Sequence, residues 1–77
     1  MVKVTMYSTP SCVYCSMSKA FFKEHNISYD EHNVAEDAAA RDEMVKKSGQ
    51  LGVPVIDIDG KIIVGFDKQK LSELLGV

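Results

Sequence analysis

Residues 7–19, YSTPSCVYCSMSK, contain both cysteines of the chain, Cys12 and Cys15, with two residues between them. The segment before them, residues 2–7, alternates and is rich in β-branched side chains, which predicts a strand. The Ser, Thr and Pro of residues 8–11 are typical of a turn. A helix is expected over residues 12–25. The cysteine pair is therefore expected where a strand passes into a helix.

The start and the buried face of this first helix can also be predicted. Thr9 or Ser11 is expected to cap it, because hydroxyl side chains accept the unpaired N–H groups of a first turn. Met17, Ala20 and Phe21 stand at i, i+3 and i+4, which predicts the stripe that packs on the sheet.

The middle of the chain predicts a strand over residues 27–34 and a helix over residues 36–48. Acidic residues open that helix, lysines fill its last turn, and Gly49 follows its end, a charge order that suits the helix dipole. The acidic run on this helix is expected to be a solvated face rather than a site.

The last third of the chain predicts a hairpin and a helix. Residues 54–58 and 61–64 read as strands joined by Asp59-Gly60, a pair suited to a tight turn. Asp67 is expected to cap a final helix that ends at Gly76. Across the predicted elements, including the first helix, these apolar side chains are expected in core or strand packing: Phe21, Phe22, Ile56, Ile58, Ile62, Val64, Leu71, Leu74 and Leu75.

The predicted order is β-α-β-α-β-β-α, in one domain over residues 1–77. A helical crossover between the first two strands should make them parallel, whereas the hairpin adds antiparallel strands. The expected fold class is α/β, with a four-stranded mixed sheet flanked by three helices.

Composition narrows the function classes. A net charge of −2 with scattered lysines argues against a nucleic-acid partner, which needs a concentrated basic face. No apolar run approaches the length of a membrane span, and residues 1–7 are too short and polar for a signal peptide. A cytoplasmic location is expected. Thiols stay reduced there, so a purely structural disulfide is not expected.

Three interpretations of the cysteine pair compete. A zinc site would need Cys12, Cys15, His25 and His32, but their spacing misses the usual pattern, and no metal site is predicted. Two inert core cysteines are the second interpretation. The third is a redox dithiol, because Cys-x-x-Cys beside a βαβ pattern is its sequence signature. The sequence favours the third.

A redox dithiol at this position has a specific chemistry. The unpaired N–H groups and dipole of the first helical turn stabilise a thiolate at Cys12. Cys15, one turn deeper, is expected to be less exposed and within disulfide reach. Cys12 would attack a substrate disulfide, and Cys15 would then resolve the mixed disulfide.

Pro54 stands directly before the third predicted strand. Taken alone, it would mark the start of an edge strand. Together with the cysteine pair, it predicts a cis Val53–Pro54 bond that turns the Val53 backbone toward a bound peptide or thiol ligand.

The stretches YSTPSCVYC, GQLGVPV and DGKIIVGFDKQKL stand in the order and at the spacing of the glutaredoxins, over nearly the whole chain. Within that family the chain most resembles the small glutaredoxin-like redoxins of the NrdH type, whose loop after the fourth strand also runs Gly-Phe. The resemblance implies the thioredoxin fold, with Cys12 as nucleophile, Cys15 as resolving thiol and Pro54 as the cis-proline.

The resemblance also implies a surface for substrate or glutathione, formed by Thr9, Tyr14, Val53, Pro54, Gly65, Phe66 and Asp67. Tyr14 and Phe66 are expected to form an exposed apolar rim around Cys12. Glutathione-using glutaredoxins usually have a lysine where Thr9 stands and an acid where Lys68 stands. Val13 also replaces a proline between the cysteines. These departures should weaken glutathione binding.

We therefore expect a dithiol redoxin with no bound cofactor that is reduced by a thioredoxin-reductase-type flavoprotein. Its partners would be protein disulfides such as that of ribonucleotide reductase, and a monomer is expected. A glutathione-dependent dithiol glutaredoxin, with glutathione as co-substrate, is the alternative. A non-catalytic module holding a metal or an iron–sulfur cluster between two copies is a third hypothesis.

Overall fold

The computed structural model describes residues 3–77. Its elements are β1 (Val4–Ser8), α1 (Val13–Glu24), β2 (Asp30–Asn33), α2 (Ala38–Ser48), β3 (Val55–Ile58), β4 (Lys61–Val64) and α3 (Lys68–Leu75). The predicted order of strands and helices is confirmed. Val2, which the sequence also assigned to the first strand, lies outside the described residues.

The four strands form one mixed sheet in the order β2-β1-β3-β4. β1 and β2 are parallel, as expected of strands joined through a helix, whereas β3 runs antiparallel to both β1 and β4. The β3–β4 hairpin turns at Asp59 and Gly60, whose φ angles of 50° and 90° are the positive values that a two-residue turn of this kind needs.

The helices cover both faces of the sheet. Because side chains alternate along a strand, Met6 and Tyr7 of β1 point to opposite faces. Met6 lies in a core cluster with α1 and α3, and Tyr7 lies in a second cluster with α2. The first cluster consists of Val4, Met6, Phe21, Phe22, Ile56, Ile58, Ile63 and Leu71. The second consists of Tyr7, Val34, Ala40, Met44 and Val55.

The buried face of α1 differs from the predicted one. Met17 is 44% exposed and Ala20 is exposed, so only Phe21 of the predicted stripe is buried. The buried side chains of α1 are Cys15, Ser18, Phe21 and Phe22. Ser18 tolerates burial because its Oγ donates a hydrogen bond to the Tyr14 carbonyl at 2.9 Å. The stripe was misplaced because Met17 is more hydrophobic than Ser18.

The other two helices end as the sequence predicts. Gly49 and Gly76 close α2 and α3 with φ angles of 74° and 72°, and Asp67 caps α3 by accepting the Lys70 N–H at 3.1 Å. The start of α2 is one correction. Asp37 is its N-cap and accepts the Ala40 N–H at 3.0 Å, so the acidic residues precede the first turn instead of lying in it.

Two strands are shorter than predicted, and β4 presents a different side chain to the core. β2 spans only Asp30–Asn33, and β3 begins at Val55 rather than at Pro54. Val64 is 53% exposed, because β4 is an edge strand, and Ile63 is buried in its place.

A polar network fixes α2 to the sheet. The hydroxyl of buried Tyr7 donates to Glu43 at 2.8 Å and accepts from Lys47 at 2.9 Å. Lys47 also contacts Asp57 of β3 at 2.8 Å. The Asp57 and Tyr7 hydrogen bonds raise the pKa of Lys47. Glu43, predicted only as part of a solvated helix face, therefore has a structural contact.

Among residues 3–77, each helix is too short or too polar to cross a lipid bilayer.

Candidate active site

Cys12 is the N-cap of α1. Its backbone is extended, with φ −85° and ψ 114°, and its sulfur accepts the N–H of Cys15 at 3.1 Å. The prediction that Thr9 or Ser11 caps the helix is therefore wrong, because the cysteine sulfur itself occupies that position. Cys12 is half-buried and so remains within reach of a substrate. The sulfur therefore lies at the N-terminal end of the helix, with a backbone N–H directed at it.

Cys15 lies in the first turn of α1 and is 1% exposed. Burial, followed by the hydrogen bond with Cys12, raises the pKa of the Cys15 thiol to about 11. A backbone hydrogen bond from Thr9 and the charge of Lys19 act in the opposite direction. The two sulfurs thus differ: Cys12 is accessible at the helix end, and Cys15 is a buried thiol that holds its proton at neutral pH.

The strand register places the other predicted site residues at the same edge of the sheet. Tyr7 pairs with Val55, and Val55 pairs with Val64. Pro54 and Gly65 therefore lie beside the end of β1, from which the chain leads to Cys12. Gly65 donates its N–H to the Pro54 carbonyl at 2.8 Å, which joins two of the predicted residues directly.

The Val53–Pro54 bond is cis, as predicted. Pro54 is fully buried and Val53 is half-buried. Within residues 3–77, the N–H and C=O of Val53 take part in no hydrogen bond. Gly65 has a φ of 83°, and a Cβ there would meet no atom within 4 Å, so the space beside its backbone is open.

The apolar surface around Cys12 differs from the predicted rim. Tyr14 is 59% exposed, as expected. Phe66 is half-buried rather than exposed, because its ring packs against the first core cluster, edge-on to Phe21 at a centroid distance of 6.1 Å. Val13, which was not assigned to this surface, and Met17, which was predicted to be buried, are 71% and 44% exposed. We call Val13, Tyr14 and Met17 the apolar rim.

The polar residues predicted for ligand binding have local roles in the fold. One carboxylate oxygen of Asp67 is used by the cap of α3, and Lys68 follows as an exposed residue. The carbonyl of half-buried Thr9 accepts the Cys12 N–H at 3.3 Å. Thr9 therefore helps to place the cysteine loop and adds no charge to it.

The four residues of the zinc alternative do not converge. The ring of His25 lies 4.6 Å from that of Phe21, in the first core cluster. The ring of His32 lies 5.4 Å from that of Tyr7, in the second cluster on the other face of the sheet. In the part of the chain that the structure describes, no three His, Cys, Asp or Glu side chains are grouped so that they could hold a metal ion.

A charged cluster beside Cys15 was not predicted. Lys19 Nζ lies 2.6 Å from Glu31 Oε2, and the same oxygen accepts a hydrogen bond from Ser8 Oγ at 2.7 Å. The Lys19 hydrogen bond lowers the pKa of Glu31. Ser8 is 1% exposed, and this contact satisfies its buried hydroxyl. The residues come from three elements, so no local pattern in the sequence indicates the cluster.

Together, a mixed four-stranded sheet and a Cys-x-x-Cys pair at the start of α1 define a dithiol protein with the thioredoxin fold. The family model for glutaredoxin matches residues 4–63. The chain belongs to the glutaredoxin family.

Individual relatives agree with this assignment. A glutaredoxin-like 8.6 kDa protein in the rubredoxin operon of Clostridium pasteurianum is 48% identical over 94% of this chain and 96% of its own. Glutaredoxin 3 of Escherichia coli is 39% identical over 87% of this chain and 81% of its own. The glutaredoxin-like protein NrdH of Lactococcus lactis is 36% identical over 92% of this chain and 97% of its own.

A solved structure confirms the fold. A mutant form of the thioredoxin-like protein BC3987 superposes with a TM-score of 0.92 at 36% identity, over 97% of this chain and 96% of that one.

Proposed function

We propose that this protein is a thiol–disulfide oxidoreductase that reduces protein disulfides through Cys12 and Cys15. One observation carries the proposal: an accessible sulfur caps α1 and accepts an N–H at 3.1 Å, and a second, buried thiol lies one turn further on. The first sulfur suits attack on a partner. The second is protected until the first has reacted.

The reaction transfers two electrons to the substrate. The Cys12 thiolate attacks one sulfur of the substrate disulfide, forms a mixed disulfide and releases the other sulfur as a thiolate, which takes a proton. Cys15 then loses its proton and attacks Cys12, and the electron pair of the broken bond leaves with the substrate sulfur. The products are a Cys12–Cys15 disulfide and a substrate with two thiols.

A protein substrate is supported by the surface around Cys12. The apolar rim offers Val13, Tyr14 and Met17 to a partner, and burying such side chains favours docking. The N–H and C=O of Val53, which have no hydrogen-bond partner within residues 3–77, suit an extended peptide segment. The disulfide of ribonucleotide reductase, expected from the resemblance to the NrdH-type redoxins, is a candidate substrate.

For the reductant, we infer a thioredoxin-reductase-type flavoprotein. Thr9 supplies no cation for a glutathione carboxylate, and Lys68 places a positive charge where an acid would hold the glutathione ammonium. A charge-assisted hydrogen bond is worth about 1.5–3 kcal/mol, so losing one weakens binding about tenfold or more.

Glutathione is the second candidate, and three features favour it. The space beside Gly65 is open, and the backbone of Val53 has no hydrogen bond within residues 3–77. Asp67 uses only one carboxylate oxygen in its cap. Glutaredoxin 3 is also a relative at 39% identity.

A two-donor assay decides between these reductants. Oxidised protein is supplied with NADPH and either thioredoxin reductase alone or glutathione with its reductase, and insulin disulfide reduction is followed. We expect turnover with thioredoxin reductase alone. Thr9→Lys should raise turnover with glutathione by up to about tenfold, whereas the uncharged Thr9→Val should not. Rapid turnover of the wild type only with the glutathione couple would overturn the inferred reductant.

A further inference from the structure

Lys19 lies on α1 four residues after Cys15, so the two side chains share one face of the helix. Its ammonium is held from the neighbouring strand by Glu31, and Glu31 is held in turn by the buried hydroxyl of Ser8 at the end of β1. The contact thus fixes a positive charge beside the buried thiol, even though Lys19 is partly exposed. A partly exposed pair of this kind adds little to stability, but it sets where the Lys19 charge lies relative to Cys15.

We propose that Lys19, held in place by Glu31 and Ser8, is a positioning residue that stabilises the Cys15 thiolate in the resolving step. This inference rests on the dithiol function proposed above. In this arrangement the Lys19 ammonium acts on the buried Cys15 sulfur, whereas the N-terminal end of α1 acts on Cys12.

The groups facing Cys15 explain why a cation matters there. Cys12 and Lys19 face it from α1, and Thr9 contributes a backbone hydrogen bond from the loop. Burial disfavours the Cys15 thiolate most strongly, and Thr9 and Lys19 favour it. Once Cys12 is bound in a mixed disulfide, it no longer carries a negative charge. Burial is then the main obstacle to ionisation, and Lys19 acts against it.

Lys19 has charged and titratable neighbours of its own. Glu31 and Tyr29, at or next to β2, face its ammonium and favour its charged form. Lys19 therefore stays protonated through the pH range of the reaction and is a fixed charge rather than a proton donor. The proton that Cys15 loses passes to the departing substrate thiolate or to water. The Cys12–Cys15 bond forms as the bond from Cys12 to the substrate breaks.

The resolving step can be observed alone with the aryl disulfide dithiobis(nitrobenzoate). Attack by Cys12 releases one yellow thiolate, and resolution by Cys15 releases a second, so stopped-flow absorbance separates the two phases. In Cys15→Ser only the first phase should remain. The pH midpoint of the second phase is the readout.

Lys19→Met should move that midpoint up by about half a pH unit to one unit. At neutral pH the second phase should slow about two- to threefold, because the higher nucleophilicity of a more basic thiolate offsets part of the loss of thiolate. Lys19→Arg, which keeps the charge, should behave like the wild type. Lys23→Met, one turn further along the same helix, is the matched control and should also leave the midpoint unchanged.

Glu31→Gln separates electrostatics from a merely structural role. Both Lys19→Met and Glu31→Gln break the same ion pair, so a structural role predicts shifts of the same sign. The proposal predicts an upward shift for Lys19→Met. For Glu31→Gln it predicts a midpoint that stays or moves down, because the Gln amide oxygen still accepts a hydrogen bond from Lys19 while the opposing negative charge is gone. Any other combination overturns the proposal. A wild type that releases only one thiolate would instead refute the dithiol function itself.

Discussion

At the scale of single residues, the site depends on the difference between two sulfurs one helical turn apart. Cys12 accepts a backbone N–H at the helix start, whereas Cys15 is 1% exposed and its pKa is raised to about 11. That the pair lies at the start of α1, with Cys15 the less exposed of the two, could be predicted from the turn residues before it and the Cys-x-x-Cys spacing. Their capping geometry could not, because a sulfur is a weak acceptor and Thr9 and Ser11 are the usual choices.

The raised pKa of Cys15 predicts how the stability of the reduced protein depends on pH. Between the ordinary thiol value of 9.0 and about 11, the folded state keeps a proton that the unfolded chain has lost. The resulting stabilisation is fully present below pH 9.0 and is lost as pH rises through about 11. The loss is at most on the order of 2–3 kcal/mol, at about 1.4 kcal/mol per pKa unit.

Urea unfolding under reducing conditions at several alkaline pH values measures this effect. Cys15→Ala is the control, because lysines and tyrosines titrate in both proteins and cancel in the difference. The free energy of unfolding should fall more steeply with pH in the wild type than in Cys15→Ala. Equal slopes would show that burial does not hold the Cys15 proton.

At the scale of elements, their order and three of the helix caps could be predicted, whereas the buried faces of the helices could be predicted only partly. Asp67 begins α3, and Gly49 and Gly76 end α2 and α3, as local chemistry dictates. Hydrophobicity does not predict that Ser18 is buried. The residue can face the core because its hydroxyl donates a hydrogen bond to the Tyr14 carbonyl. Tertiary contacts such as those of Tyr7 with Glu43 and Lys47 join residues 36 and 40 positions apart, and no local pattern indicates them.

The corrected face of α1 predicts which substitutions destabilise the fold. Phe22→Ala should cost about 3–5 kcal/mol, because it removes a fully buried ring from the first core cluster. Met17→Ala should change stability by less than about 0.5 kcal/mol, because Met17 lies in the exposed apolar rim. Urea midpoints compare the two variants. A larger loss of unfolding free energy in Met17→Ala than in Phe22→Ala would contradict the observed buried face of α1 and support the one predicted from hydrophobicity.

At the scale of the whole molecule, the sheet brings three distant segments to one edge. The turn after β1, the Val53–Pro54 segment and the Gly65 turn are separated along the chain, yet strand register places them side by side. The family resemblance implied this convergence from three sequence stretches. Packing alters one detail of that surface: Phe66 is half-buried against the first core cluster, whereas Val13 and Met17 are exposed.

Trapping the mixed disulfide is the most direct test of the central claim that Cys12 captures the substrate and Cys15 releases it. Reduced Cys15→Ser and Cys12→Ser variants are incubated with an oxidised protein substrate, quenched with acid and mapped by mass spectrometry. The account predicts that the substrate stays bound to Cys12 in Cys15→Ser and that Cys12→Ser forms no adduct. An adduct on Cys15 in Cys12→Ser, formed as fast as that on Cys12, would contradict it.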